Sequence, residues 1–510
     1  MKNILNFKKL GFKPLVCVAI VCFQLLSSSS FAQFSGGNGS QNNPYIITTA
    51  TELAQLATFV NVADTAYNDK YYKLGNNINL SAYGIGFNNG KGWIPIGKYR
   101  ILNKTPFKGG FDGDSNTITG LYINDSTLDG AGLFGNIEGV INNLNIDSVT
   151  IIGGVFVGGI TGYVSIGGSW RCSSSGSIVG QYEVGGIVGR LLDGNISNCY
   201  SSCNVSGLNA TSDNIGGIAG WVENGCRIAN CYSVGTITGH DYIGGIVGML
   251  SYASLITDCY SLGNITGNQY VGGIAGYVSG SSVRNCYSVS NIIASKSSGG
   301  ILGEVVDALG CLKGQIINNI ALNPSVKGEN NIGRVMGVND NSESTINNTA
   351  YDSMLNSAND ILWVNKAVEN LDGEDIGKQT INADGTLGGK FTSSNGWTTQ
   401  NGKLPGLFGK AVEMPEHLQK AGQGTTGIAE RDNSDIRVYP NPTTGELKIE
   451  SVNTKIDNVE VYDIAGKLVQ THRLNSTTNA ILDVSTLANG TYLVNIYSEG
   501  QKTTKKFVKE

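Results

Sequence analysis

His240 and Asp241 form the histidine–acid pair of the long glycine-rich middle of this 510-residue chain. An imidazole beside a carboxylate can carry general acid–base work or hold a cation. Here the pair follows a glycine in a turn, where an exposed loop histidine is the plainer reading. Asp112-Gly-Asp114 offers two carboxylates that could ligate calcium, although isolated acids around a glycine are also ordinary turn chemistry. Glu183, Asp193, Asp213, Glu223, Arg190, Arg227 and Arg284 are scattered along the sequence and lack the clustered carboxylates of glycosidic-bond hydrolysis. Residues distant in sequence can still converge if the chain stacks on itself. Arg190, Trp221, Met249 and Tyr277 each directly follow a Gly-x-x-Gly, a stripe that contacts glycan if exposed and merely packs if buried. No histidine accompanies the recurring cysteines and no Cys-x-x-Cys occurs, so the common zinc patterns are missing. The sequence therefore assigns no catalytic residue, no cofactor and no metal site.

The elements that would position these groups are set by two repeating beats. Gly-x-x-Gly starts at Gly132, Gly159, Gly186, Gly217, Gly245, Gly273 and Gly300, at intervals of 27, 27, 31, 28, 28 and 27 residues. Asn/Asp-Cys-Tyr-Ser places Cys199, Cys231, Cys259 and Cys286 at spacings of 32, 28 and 27. A fixed period in this range means a solenoid, in which each unit buries its face against its neighbours. Short runs of Ile, Val, Tyr and Thr punctuated by Gly, Asn, Asp and Ser are strand and turn signals. No window in the repeats shows a sustained helical apolar period, and the leucine-rich ladder is missing. The expectation is an all-β protein, a β-solenoid of about three short strands per coil, with coils stacked roughly 4.8 Å apart.

That geometry predicts inward ladders of Ile187, Ile218, Ile246, Ile274 and Ile301, of Ile196, Ile228, Ile256 and Val283, and of Val205, Ile237 and Ile265. Ile196 and Cys199 are three residues apart, so a bend is predicted at Asn198, Asn230, Asp258 and Asn285, their side chains satisfying turn amides. Cys172, Cys199, Cys231, Cys259 and Cys286 would stack as buried free thiols, because parallel Cβ vectors aim the sulfurs poorly for bonding. Cys203 and Cys226 break the pattern and are the pair to expect if a bridge exists.

Residues 1–32 carry Lys2, Lys8, Lys9 and Lys13, an apolar run from Leu15 to Leu26, and small residues at Ser30 and Ala32, as in a secretory signal peptide. Removing a leader with four lysines and no acids takes the net charge from −5 to −9, which argues against nucleic acid or an anionic membrane as partner. No other run reaches the length of a transmembrane segment. The rest divides into a cap and irregular first coils (33–130), regular repeats (131–345), closing coils and cap (346–412), a linker (413–436) and a small β-sandwich (437–510). Thr49-Ala-Thr-Glu52 reads as a capping box opening a short N-terminal helix that covers the first coil. After Gly300 the beat weakens: Gly333-Arg-Val-Met-Gly337 arrives late, with Arg334 where the motif's Ile would stand.

The Gly-Leu-Phe-Gly and Gly-Ile-Val-Gly beats, with the lead-in Phe107-Lys-Gly-Gly-Phe-Asp-Gly113, resemble GLUG-motif repeats. That resemblance implies a right-handed parallel β-helix of the pectin-lyase-like kind in an exported, often adhesin-like protein. The segment with Tyr439-Pro440-Asn441-Pro442-Thr443, Gly466-Lys-Leu-Val469, Gly490-Thr-Tyr492 and Lys505-Lys506-Phe507-Val508 resembles the type IX secretion C-terminal sorting domain, an immunoglobulin-like sandwich. It implies the type IX machinery as a partner, and delivery to the outer surface or the medium after signal and sorting segments are cut. The expected function is adhesin-like or glycan-binding, with a surface protein as another ligand class. A polysaccharide lyase or hydrolase and a structural stalk are the alternatives. Asp64-Thr-Ala, Asp125-Ser-Thr, Asp147-Ser-Val and Asp352-Ser-Met also resemble O-glycosylation acceptors.

Overall fold

A computed structural model describes residues 33–99, 104–307, 314–340, 344–419, 436–451, 455–463, 467–498 and 501–510. The signal-like leader, most of the expected linker and Gly466 lie outside these residues. The chain divides into two compact units, Met1–Lys420 and Ala421–Glu510.

The first unit is a parallel β-solenoid of about 11 turns. In one turn, Tyr182–Gly185 joins a seven-stranded sheet, Val188–Leu191 an eight-stranded one, Gly194–Ser197 an eleven-stranded one and Tyr200–Gly207 a sixteen-stranded one. These are called sheets I to IV. In later turns the sheet IV strand splits in two, as in Tyr232–Ser233 and Ile237–Thr238. The coil thus has four or five strands where three were expected, because the glycine beat forms a corner between sheets I and II and divides one expected strand.

Two close approaches explain the glycines. A Cβ on Gly186 would collide with the Ser201 hydroxyl and with the carbonyl of Gly217 in the next coil; Gly217 is placed likewise against Ser233 and Gly245. Ser174 and Ser261 donate to the Gly186 and Gly273 carbonyls at 2.6 and 2.5 Å. The serine of the second beat therefore packs on the first glycine of the first beat, across the inside of the coil, which locks the two beats to one period. The last glycine of the motif has a different role: a Cβ on Gly189 would meet the Phe156 and Val157 backbone of the preceding coil.

All three aliphatic ladders point inward and are buried. The predicted bends exist, with φ of +54°, +53°, +54° and +51° at Asn198, Asn230, Asp258 and Asn285. These side chains favour the left-handed backbone. Asn318 Nδ2 donates to Asn285 Oδ1 and Asn347 Nδ2 to Asn318 Oδ1 along the ladder, and Thr257 Oγ1 donates to Asp258 Oδ2 within its own turn; none of these partners is a turn amide.

Cys172, Cys199, Cys231, Cys259 and Cys286 are buried and free. Their sulfurs accept from the neighbouring coil's backbone, Cys172 N–H to Cys199 Sγ and Cys231 N–H to Cys259 Sγ, each at 3.4 Å. Past Cys286 the ladder continues as Asn319 and Asn348, whose Oδ1 atoms accept from the Cys286 and Asn319 amides at 3.0 Å. Cys203 and Cys226 do not pair: Cys203 contacts Ser174, whereas Cys226 accepts from Gly194 N–H. They stand on different coils, Cys203 within the sheet IV strand Tyr200–Gly207 and Cys226 just before the sheet III strand Arg227–Ala229.

At the start, helix α1 (Ala50–Asn61) opens with the Thr49–Glu52 capping box and buries Leu53, Leu56, Ala57 and Val60. At the far end the register pairs Gly299 with Gly333 and Leu302 with Met336. Arg334 therefore stands at the motif's first glycine, beside Gly300, and Val335 takes the isoleucine place that the sequence pattern gives to Arg334. Sheets I to III end with this coil among the described residues, and only the short strand Glu374–Ile376 continues sheet IV, which leaves room for a side chain. The guanidinium is fully buried, donating to Asp372 O at 2.9 Å, Gly373 O at 2.8 Å, Tyr351 O at 3.3 Å and Asp375 Oδ1 at 2.6 Å. The segment after it also folds back along sheet IV, where Phe391, Trp397 and Phe408 cover the stacked rings of Tyr287, Tyr260 and Tyr232.

The second unit has a three-stranded antiparallel sheet (Ile436–Tyr439, Glu446–Ser451, Asn479–Asp483) and a four-stranded one (Leu468–Thr477, Ile456–Asp463, Gly490–Ser498, Gln501–Lys509). Alternating residues such as Leu447, Ile449, Val459, Val461, Val494 and Phe507 fill one shared core.

Candidate ligand-binding face

The stripe read from the sequence is a register column. Tyr163, Arg190, Trp221, Met249, Tyr277 and Glu304 pair one to the next along sheet II. Tyr163 is buried and the other five are half-buried. Alternation points them outward, since their neighbours Leu191, Val222, Leu250 and Val278 face the core.

A second column, missed in the sequence, flanks it. Phe156, Glu183, Asn214, Tyr242, Tyr270 and Ser297 sit three residues before each first glycine, all with positive φ between +42° and +61°. This left-handed residue bulges each sheet I strand into the space that the last motif glycine leaves open. Simple alternation hides its outward direction; the recurrence of Phe and Tyr at that offset was the available signal.

Together the columns make an aromatic ridge along the corner. Phe156 and Tyr163 meet edge-on with ring centres 5.1 Å apart, and Tyr99 packs on both at 4.6 Å. The Arg190 guanidinium lies 4.0 Å from the Trp221 ring centre, a cation–π contact. Tyr242 and Tyr270 stack at 5.0 Å, and Tyr277 closes on them at 5.4 and 5.8 Å. Burial raises the Tyr277 phenol to about 12, with Glu304 adding to the shift. These phenols stay neutral donors at any physiological pH.

The structure does bring two carboxylates together. Glu183 lies 3.5 Å from Arg190 Nη1, and Glu223 accepts from Arg190 Nε at 2.9 Å and Nη2 at 2.5 Å. Burial raises Glu183 to about 7 against the pull of Arg190, and Glu223 adds repulsion. Arg190 thus holds one oxygen of each acid within the ring cluster, and Glu183 Oε2 is buried without a hydrogen-bond partner.

Two further candidate groups have structural partners. Asp213 Oδ1, His240 Nδ1 and Asp241 lie close together. Asp213 Oδ1 accepts the Asp241 amide at 3.0 Å, and Asp241 accepts from Asn268 and from the Gln269 side chain at 2.9 and 2.7 Å. These oxygens cap the next coil's amides. Asp112 Oδ1 caps Asp114 N–H at 2.9 Å and takes Asn143 Nδ2 at 3.0 Å. The motif glycines Gly132, Gly159, Gly186, Gly217, Gly245, Gly273 and Gly300 and the cysteines lie inside the coil wall and touch no open surface.

In the second unit two distant motifs meet. Asn441 Nδ2 donates to Lys506 O at 3.0 Å, and Asn441 Oδ1 accepts from Val508 N–H at 2.9 Å. Thr443 N–H donates to Val508 O at 2.9 Å. The Tyr439–Pro440 and Asn441–Pro442 bonds are cis. Tyr492 stacks on Phe507 at 5.5 Å, Gly490 pairs with Lys509, and Lys505 pairs with Val494.

Comparison with known families fits these two units. The secretion system C-terminal sorting domain matches residues 437–510, and the GLUG motif matches 180–206, 211–238 and 267–293. The chain carries GLUG repeats and a type IX sorting domain. Each GLUG match is one turn of the solenoid, beginning at or just before sheet I and ending in sheet IV. Over 155 residues the chain is 32% identical to a putative Gly-rich membrane protein of Evansella cellulosilytica, covering 29% of this chain and 17% of that protein. Over 129 residues it is 36% identical to halomucin of Haloquadratum walsbyi, covering 25% of this chain and 1% of halomucin. The chain thus spans under a fifth of either relative. The sorting domain marks it for export by the type IX system, to the cell surface or the medium. No helix among the described residues is long and apolar enough to cross a membrane.

Proposed function

We propose that the solenoid is an exported, adhesin-like scaffold that binds glycan along its aromatic ridge. The observation that carries this is the pairing of two columns, in which the half-buried rings of Trp221, Tyr242, Tyr270 and Tyr277 recur at the coil step. Rings repeated at that step line the corner with half-buried aromatic surface, and the phenols supply polar edges. Sugars offer the matching combination of an apolar C–H face and hydroxyl rim. In this reading residues 131–345 are the working scaffold, and the Asn441 clamp on Lys505–Val508 is what the export machinery reads.

A carbohydrate-active enzyme on the same fold is the competing reading. Glu183 and Glu223 are its best candidates; Arg190 holds one oxygen of each, and the other Glu183 oxygen is buried rather than open to a substrate. A stalk with no ligand is the third. The test is to present the purified full chain to a glycan and matrix-protein array and to assay polysaccharides for released products. Saturable glycan binding without products is expected. Product release, or binding confined to proteins, would reject the proposal.

A further inference from the structure

A separate groove lies on sheet III, in the first coils and away from the ridge. It encloses about 690 Å³. We infer that this groove is a second glycan site, built for a short neutral oligosaccharide; this deepens the glycan-binding reading given above.

Its walls are exposed rings and aliphatic groups. Tyr71 is 38% exposed at one end and Trp170 46% at the other, with Val140 and Ile166 at 42% and 56%. Sheet III register runs Tyr71 to Gly110 to Val140 to Gly168, so Tyr71 and Trp170 are three coils apart, roughly 14 Å. That length suits several linked sugar rings better than one. The floor is bare backbone. A Cβ on Gly139 would strike the Gly109 carbonyl, and one on Gly167, whose φ is +108°, the Gly139 carbonyl. Side chains are thereby kept out of the recess between the two aromatic ends.

The polar groups select the ligand. Asn142 Oδ1 is buried at the groove without a hydrogen-bond partner, an acceptor suited to a hydroxyl donor. Lys108 is paired with Glu138 at 3.2 Å, and Arg171 is stacked on Trp170 with its guanidinium carbon 4.8 Å from the ring centre. Lys108 is the one cation among the lining residues, which also include the acids Asp112 and Glu138, so the lining itself carries no excess positive charge for a polyuronate. Strands in the groove are hydrogen-bonded on both sides within sheet III. A peptide cannot add to them as a further strand, the commonest way a sheet captures an extended chain. Few polar groups among apolar walls is the usual make-up of a small-ligand site.

The experiment titrates the full chain with cellohexaose, xylohexaose, mannohexaose, hexagalacturonate and an uncharged extended peptide. The partners are the wild type, Tyr71→Ala, Trp170→Ala, and Trp221→Ala as a ridge control. All three positions are at least partly exposed, and unchanged melting temperatures confirm intact folding. The expected result is saturable binding of at least one neutral hexasaccharide, weakened tenfold or more by Tyr71→Ala and Trp170→Ala and under twofold by Trp221→Ala. Binding by none of the neutral sugars, preference for hexagalacturonate or the peptide, or insensitivity to both groove substitutions would overturn the inference. Loss in Trp221→Ala alone would remove the groove and leave the ridge standing.

Discussion

Cys259 and Asn319 hold equivalent places in one ladder, and comparing them shows what that place requires. Each accepts a backbone N–H from the coil before it, through sulfur in one case and an amide oxygen in the other. Cys259→Ala should cost about 1–3 kcal/mol by leaving the Cys231 amide unpaired. Cys259→Asn should cost less, because the introduced amide repeats the arrangement of Asn319, whose Nδ2 donates to Val283 O at 2.9 Å. Urea unfolding of both variants checks the order, and a greater loss for Asn would contradict it. Glu183 gives a pH dependence. Its carboxyl is raised from 4.5 to about 7 in the fold. Between those values the folded state holds more protons than the unfolded one, so stability falls as pH rises through that window, by at most about 1.4 kcal/mol per unit. Glu183→Gln should flatten the slope of the melting temperature between pH 5 and 7; an unchanged slope would refute the assignment. The cysteine ladder was legible in the sequence because period and residue type coincide. The Glu183–Arg190–Glu223 cluster was not, since its members are 7 and 33 residues apart and meet only through coil stacking and a left-handed bulge.

At the scale of elements, the coil is defined by its corners. The ladders Ile187 to Ile301 and Val205 to Ile265 could be read directly, because inward positions repeat in type as well as spacing. The corner at Gly186-Ile187 could not be told from a strand interior, since glycine serves both. The off-by-one placement of Arg334 has the same origin: with one motif glycine replaced, only strand register fixes the alignment. Gly186→Ala should destabilise strongly, on the order of 3 kcal/mol, because the collision is with backbone and a buried serine. Adding Ser201→Gly should restore only part of the loss, since the Gly217 carbonyl stays; full recovery would show that the serine alone sets the glycine. Arg334→Ala strips three buried carbonyl oxygens of their donor and should cost about 3 kcal/mol or more. Hydrogen exchange should then quicken in Asn330–Gly333 and Met336–Asn339, where equal protection would contradict a closing role for the guanidinium.

For the molecule as a whole, the second unit addresses the chain for export, and the first, on the proposed function, has the task of presenting a surface. The final strand Gln501–Lys509 supplies Phe507 to the second core and both atoms that Asn441 grips. Deleting Lys505–Glu510 should hold the protein in the periplasm, read by cell fractionation; undiminished surface delivery would count against the role given to that strand. The sorting motifs were legible in order and spacing, but their convergence on Asn441 was visible only in three dimensions. The central claim is that the ridge is a glycan-binding strip. Its most direct test measures the affinity of the full chain for its strongest array glycan, beside a triple variant with Trp221→Ala, Tyr242→Ala and Tyr277→Ala. The account predicts at least a hundredfold loss of affinity with the fold retained by circular dichroism. Affinity unchanged in the folded triple variant would contradict it.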